Sequence, residues 1–128
     1  MGQDRFSNEE IAWLAGIIDG EGSWEFKDRD RYRYCRIIIG NTSLEIIERC
    51  KIIIEKIINH DIKVYNWKRK KKCKPFFSIE LARREDVYAI IKICYPYLVN
   101  KKEKIDMLLK ELENYFLPII NIIKEVNK

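Results

Sequence analysis

Apolar residues along the chain recur with two different periods, and the change from one period to the other predicts the order of helices and strands. A helix is expected at 8–19, where a capping box formed by Ser7 and Glu10 precedes apolar residues at helical spacing. Segments with strand-like alternation follow at 23–27 and 32–39. The first part of the chain therefore predicts a helix followed by a β-hairpin.

The same order is predicted a second time. A second capping box at 42–45 leads into an isoleucine-rich segment whose helical period continues to Asn59. Its many β-branched residues favour strands by propensity, but the period indicates a helix. A second hairpin is expected from 62–68 and 76–81, with a basic segment as its turn.

Helical periodicity returns in the last third of the chain. One helix is expected from about Arg84 to just before Pro96, another is expected from Lys101, and Pro118 is expected to open a last short helix. The predicted order is αββαββα(α), an α+β fold in which a mixed antiparallel sheet packs against helices on one face. We expect residues 1–128 to form one domain, since the chain is long enough for a single core.

The charge, the apolar segments and the cysteines of the chain limit which partners and cellular settings are expected. The net charge is +5, the isoelectric point is about 9.0, and 35% of residues are charged, which suits a protein that binds polyphosphate. No apolar segment reaches transmembrane length and the start of the chain has no apolar signal region, so we expect an intracellular protein with no membrane partner. The cysteines are scattered without CxxC pairs, which disfavours zinc and disulfides; they are Cys35, Cys50, Cys73 and Cys94.

The first predicted helix has one face that is almost bare of side chains. Ala12, Gly16 and Gly20 recur every four residues and so share a face, with Ala15 beside it. A second helix could approach such a face backbone to backbone. The alternative is an ordinary buried amphipathic helix that ends in a glycine-rich cap.

Two acids lie where this helix should end. Asp19 and Glu21 alternate with glycines that are free to adopt left-handed backbone angles. A helix dipole disfavours anions at its C-terminus, and pairing two such helices would increase the repulsion. A divalent cation would relieve that repulsion.

The segment 14–22, Leu-Ala-Gly-Ile-Ile-Asp-Gly-Glu-Gly, resembles the LAGLIDADG motif of homing endonucleases and their maturase relatives. The motif occurs once, and single-motif chains of that family work as homodimers, so the resemblance implies a symmetric dimer. Asp19 is expected to end the helix or to orient its neighbours. The residues implied at the dimer interface are Ala12, Ala15, Gly16, Asp19 and Gly20.

The resemblance also implies a chemistry. It predicts a site-specific endonuclease that cuts both strands of a long pseudo-palindromic DNA target, with Mg²⁺ or Mn²⁺ as cofactor, and leaves short 3′ overhangs. Glu21 is the implied metal ligand, with the Gly20 carbonyl beside it. Asn41 is placed where the family orders active-site water, although it could simply start a helix. Lys101 is the implied phosphate-contacting lysine, with Lys102 and Lys104 left as candidates.

The sheet face away from the helices is the expected DNA surface. Strand alternation and the basic turn place on it Glu25, Lys27, Arg29, Tyr32, Tyr34, Arg36, Lys68, Arg69, Lys70, Lys71, Lys72, Lys74, Phe76, Ser78 and Glu80. In the third strand either Lys63, Tyr65 and Trp67 or the residues alternating with them could face DNA. For the sheet face alone, the competing interpretation is an ordinary solvated surface.

Other functions remain open or are disfavoured. A non-cleaving protein on the same fold, such as a maturase that binds intron RNA or a DNA-binding regulator, is the main alternative to a nuclease. His60 is the only histidine in the chain, so a histidine-based nuclease site is excluded. We expect His60 to be a surface residue near the end of a helix.

Overall fold

The structure, a computed structural model, describes residues 6–29, 32–67 and 73–127, with the backbone alone described at 27–29 and 32–34. Its elements follow the predicted order of helix, hairpin, helix, hairpin, helices. They are α1 (Asn8–Glu21), β1 (Gly22–Arg29), β2 (Tyr32–Asn41), α2 (Leu44–Ile58), β3 (Tyr65–Trp67), β4 (Phe76–Leu81), α3 (Arg84–Cys94), a 3₁₀ turn (Tyr95–Tyr97) and α4 (Lys102–Val126).

The strands form one sheet in the order β1-β2-β4-β3. All three pairings are antiparallel, so the expected α+β fold class is confirmed, with an antiparallel rather than a mixed sheet. Ile39 lies opposite both Gly22 in β1 and Ile79 in β4. The register therefore places the start of β1, where α1 ends, at the same end of the sheet as the end of β2.

The helices cover one face of this sheet, and the core lies between the two layers. Alternate strand residues point into it, as the period of two requires. Helices α1 to α4 contribute isoleucines, leucines and cysteines at helical spacing. The buried strand residues are Trp24, Cys35, Ile37, Ile39, Ile79 and Leu81.

Helix α1 begins as predicted and ends two residues later, at Glu21. Ser7 and Glu10 form the expected capping box, with reciprocal bonds of 3.1 and 2.9 Å. Gly22, which ends the helix, is extended with φ −86°, so left-handed freedom is not what this position uses. A Cβ here would lie 2.6 Å from the Ile18 carbonyl oxygen, so Gly22 serves the close passage of the chain into β1.

Two other predicted boundaries differ. The N-cap of α2 is Ser43 instead of Thr42, because the Ser43 hydroxyl accepts the Ile46 amide at 3.3 Å. The helix ends, as expected, at Asn59, which adopts a left-handed conformation with φ 62°. Strand β3 spans only Tyr65–Trp67, since 62–64 make no ladder with β4.

The prediction of a separate last helix beginning at Pro118 is wrong, because α4 continues through Pro118 to Val126. Proline removes one helical hydrogen bond, and here the affected Asn114 carbonyl belongs to an exposed stretch where water can bind it. The buried residues of α4 all precede Pro118; they are Ile105, Leu108 and Leu112. Within the described residues, no helix has the length and apolarity needed to cross a membrane.

Candidate functional site

An open stripe of small residues runs along α1. Ala12, Gly16 and Gly20 are all exposed, and a Cβ added at Gly16 or Gly20 would meet no atom within 4 Å. The packing of the chain itself therefore does not require glycine at these positions. Ala15 does not belong to this stripe: it is fully buried in the chain's own core beside Leu14, so its expected place at a dimer interface is wrong.

Asp19 ties the end of α1 to the segment that precedes α4. Its carboxylate accepts the amides of Val99 at 2.9 Å and Asn100 at 3.1 Å. The Asn100 side chain in turn donates to the Asp19 carbonyl at 3.1 Å. The Asp19 carboxylate thus binds backbone amides of its own chain, in agreement with the orienting role expected for Asp19. It is not an unbonded group on the open stripe.

Lys101 directly follows this attachment. It is exposed and adopts a left-handed conformation, with φ 56° and ψ 34°, as the N-cap of α4. The Lys102 side chain instead caps the preceding 3₁₀ turn, because its ammonium donates to the carbonyls of Tyr95 at 2.9 Å and Leu98 at 2.8 Å. Lys104 is exposed on the helix surface. Of the three candidate lysines, Lys101 is thus the one held beside the end of α1 by Asp19 and Asn100.

Glu21 and Gly20 present oxygen donors at the C-terminus of α1. Glu21 is exposed, and the last helical bond runs from the Gly22 amide to the Ile18 carbonyl, so the Gly20 carbonyl lies beyond the helical ladder. Hard oxygen donors of this kind suit Mg²⁺. The described part of the chain contains no group of three or more His, Cys, Asp or Glu side chains that could hold a metal.

Asn41 ends β2 close to the same end of the sheet. Its side-chain oxygen accepts the Ser43 amide at 2.7 Å, which shapes the turn into α2. The structure thus shows the helix-starting role that was one of the two expectations for Asn41.

A polar cluster, Glu25, Arg36 and Glu80, joins three strands on the sheet face away from the helices. The Arg36 guanidinium donates to Glu25 at 3.0 Å and to Glu80 at 2.7 Å. All three side chains are between 24 and 34% exposed. The outward orientation predicted for them is observed, and the arginine is held between two carboxylates.

An aromatic cluster, Tyr65, Trp67 and Phe76, occupies the same face. Trp67 lies opposite Phe76, and Tyr65 lies opposite Ser78, so both β3 rings share the outward side. The register resolves the choice that alternation alone left open in β3. Ser78 also faces outward, but it is only 4% exposed because the Trp67 indole N–H donates to its hydroxyl at 2.8 Å. Ser78 is therefore covered, and its expected direct contact with DNA is not supported.

The remaining expected DNA contacts are described in part or not at all. Lys74 is exposed two residues before β4 begins. The side chains of Lys27, Arg29, Tyr32 and Tyr34 lie outside the described part, as do Lys68, Arg69, Lys70, Lys71 and Lys72 altogether.

Comparison by sequence identifies no relative, since no protein-family model and no curated protein match the chain. Solved structures do resemble it. A homing endonuclease, I-CvuI, in complex with DNA gives a TM-score of 0.60 at 17% identity, and the match covers 82% of this chain and 66% of that one. The intron-encoded homing endonuclease I-CeuI complexed with DNA gives 0.58 at 13% identity, with coverages of 94% and 59%.

A third structure, the LAGLIDADG meganuclease I-AabMI bound to uncleaved DNA, gives a TM-score of 0.61 at 17% identity, with coverages of 84% and 39%. The chain spans between 39% and 66% of the length of these three proteins. At such low identities the similarity establishes the fold. This chain has the fold of the LAGLIDADG homing endonucleases, as the resemblance of segment 14–22 implied.

Proposed function

We propose that this protein is a homodimeric, site-specific endonuclease that cuts both strands of a pseudo-palindromic DNA target with the help of a divalent cation. The observation that carries the proposal is the open stripe Ala12, Gly16 and Gly20, which leads directly to the exposed carboxylate of Glu21. A glycine in mid-helix costs stability relative to alanine, so its presence at Gly16 is explained if a close-packed partner needs the space. A second copy of α1 would use that space, and it would bring the two Glu21 side chains together.

The metal chemistry follows from this pairing. Glu21 and the Gly20 carbonyl of each chain would hold the cation, which would supply charge relief at the phosphate and activate a water. DNA phosphate oxygens would complete the coordination, because one chain has too few ligands. Complexes of I-CvuI with DNA were solved in the presence of Mg and of Ca, which agrees with divalent-metal use among proteins of this fold.

The DNA-binding surface of the proposal is the outward sheet face. Hydrogen-bonding groups of the polar cluster and apolar rings of the aromatic cluster are both available to base edges in a major groove. The basic sequence 68–74 follows β3 directly, and cations of this kind bind phosphates irrespective of sequence. We propose that residues 1–128 form one DNA-binding and DNA-cleaving domain, and that it acts inside the cell.

The test is cleavage of a randomised duplex pool in the presence of Mg²⁺, with sequencing of the cut ends. We expect paired cuts with short 3′ overhangs at a near-palindromic site, and no cutting when the metal is chelated. Glu21→Gln should bind the same site and cut it at least about 100-fold more slowly, since even changes around metal ligands cost 10- to 100-fold.

Glu9→Gln is the matched control, because Glu9 is an exposed acid in the first turn of the same helix. It should cut like the wild type. Tight duplex binding without any cutting by the wild type would refute the nuclease and favour a non-cleaving regulator on this fold. Preferential binding to structured intron RNA would favour a maturase.

A further inference from the structure

The outward sheet face is divided along its strands. The aromatic cluster lies at the end where β2 finishes, because Tyr65 and Gly40 both lie opposite Ser78 in β4. The polar cluster lies farther from that end, with Glu25 opposite Arg36. Since Gly22 lies opposite Ile39, the aromatic end of the sheet is also the end to which α1 delivers Glu21.

The rings of this cluster offer an apolar surface to solvent. Trp67 is 55% exposed and Tyr65 is 40% exposed. Tryptophan has a single donor, its indole N–H, and here that donor binds the buried Ser78 hydroxyl. The exposed part of Trp67 therefore cannot donate a hydrogen bond to a base edge.

Phe76 completes the surface because residue 40 is glycine. Its ring occupies the place that a Cβ at Gly40 would take. The Lys63 ammonium lies 5.2 Å from the centre of the Tyr65 ring, so a cation borders the rings. An apolar patch bordered by positive charge matches a partner that presents both apolar groups and phosphates.

The arrangement of the rings favours paired over unpaired bases. The Tyr65 and Trp67 rings are 6.4 Å apart between centres and tilted by 34°, so they contact one another. They do not form a parallel slot into which a single unstacked base could insert. In a duplex major groove, the apolar group that remains for such rings to contact is the C5-methyl of thymine.

We infer that the aromatic cluster recognises thymine methyl groups in the major groove, at base pairs near the positions that Glu21 would cut. The inference rests on the proposed function, since it assumes that the outward face binds duplex DNA. It adds a division of specificity: the inner base pairs of each half-site are read by apolar contact and the outer ones by the polar cluster.

The test uses a duplex recovered by selection from a randomised pool and prepared in two forms, one with thymine and one with deoxyuridine throughout. The two forms differ only in the methyl groups. We expect the wild type to bind the uracil form about threefold to fivefold more weakly for each methyl that the rings cover. Single-position substitutions should locate the sensitive thymines in the inner part of each half-site.

The protein variants show whether the rings are responsible. Trp67→Ala should bind the thymine form more weakly than the wild type and should not distinguish the two forms, which is the pattern of a coupled pair in a double-mutant cycle. Tyr65→Ala, which leaves Ser78 bonded, should lose part of the discrimination. Tyr115→Ala is the matched control, because Tyr115 is a comparably exposed tyrosine on α4 in the helical layer.

Three results would overturn the inference while leaving the proposed function intact: equal wild-type affinity for both forms, undiminished discrimination by Trp67→Ala, or sensitive thymines confined to the outer base pairs. Tighter binding to the single strand than to its duplex would instead identify the rings as a stacking surface. Failure to bind any duplex would refute the proposed function itself.

Discussion

At the scale of single residues, the sole histidine proves to be part of a defined interaction. The His60 Nε2 atom lies 2.9 Å from both carboxylate oxygens of Asp86, which is 5% exposed at the start of α3. His60 directly follows the C-cap of α2, as expected, but it is half-buried because its ring packs against Asp86. The pair joins the end of α2 to the first turn of α3.

The hydrogen bond to Asp86 raises the pKa of His60 above its ordinary value of 6.5, with a smaller raising contribution from the Asp61 carbonyl and a lowering one from Arg83. A raised folded pKa means that the stabilisation is complete below the unfolded pKa and is lost as pH rises through the folded pKa. We therefore expect His60→Asn to lower the melting temperature more at about pH 5.5 than at about pH 9.

Melting curves of wild type and variant at those two pH values measure this effect. Asp86→Asn should reproduce the pH dependence, because it removes the same pair. A difference in melting temperature that is equal at both pH values would contradict the assignment.

At the scale of elements, hydrogen bonds join the end of α1 to the segment that precedes α4. Asp19 accepts both amides of the connecting segment, and Ile105 donates its amide to the Lys101 carbonyl at 3.0 Å. These bonds hold Lys101 in a conformation that costs an L-residue about 1–2 kcal/mol. A strained backbone conformation of this kind persists only where the surrounding structure imposes it, and such conformations are often found at functional sites.

This arrangement predicts that Lys101→Gly separates stability from activity. Glycine adopts the left-handed conformation without the Cβ penalty, so we expect the melting temperature to stay the same or rise. If Lys101 is the phosphate-contacting lysine, cleavage should fall at least about tenfold because that charge is lost, while DNA affinity changes little.

Single-turnover cleavage with saturating protein, together with thermal melting, tests both parts. Lys104→Ala, which removes an exposed charge from the same helix, is the control and should retain the wild-type rate. If Lys104→Ala lost cleavage and Lys101→Gly kept it, the phosphate-contacting role would belong to Lys104.

At the scale of the whole molecule, the proposed nuclease needs two copies of the chain, because each chain carries one copy of the motif acid. Its bare stripe on α1 is open, whereas Gly22 at the end of that helix is closely packed against Ile18. We therefore expect Gly16→Leu to fold at least as stably as the wild type when monomeric, since glycine is about 0.8–1 kcal/mol less favourable than alanine in a helix interior and leucine ranks next to alanine.

The same substitution should block dimerisation and with it cleavage, because the leucine side chain would hold the two copies of α1 apart. Sedimentation equilibrium should give twice the chain mass of 15.5 kDa for the wild type and one chain mass for Gly16→Leu. Ala82→Leu, at an exposed small residue outside the stripe, should remain a dimer. A Gly16→Leu protein that still dimerises would show that α1 is not the interface.

The local sequence was sufficient for features that depend on neighbours along the chain. Capping residues and helical periods place α1, α2 and α3 within a few residues, and alternation separates the inward and outward sides of β1, β2 and β4. The nine residues 14–22 were sufficient to indicate the fold that the solved structures confirm. Hydrogen bonding within a helix and side-chain alternation in a strand are local properties, so a single sequence carries them.

Only the tertiary structure decided which residues meet across elements. Burial of Ala15, the bonds from Asp19 to Val99 and Asn100, and the covering of Ser78 by Trp67 each join positions that no local pattern relates. The face of the sheet to which the β3 rings point likewise depended on the register with β4, because all three residues of this edge strand are exposed and burial does not mark one side. Long-range register and packing are set by the whole core, and the shape of the candidate site follows from them.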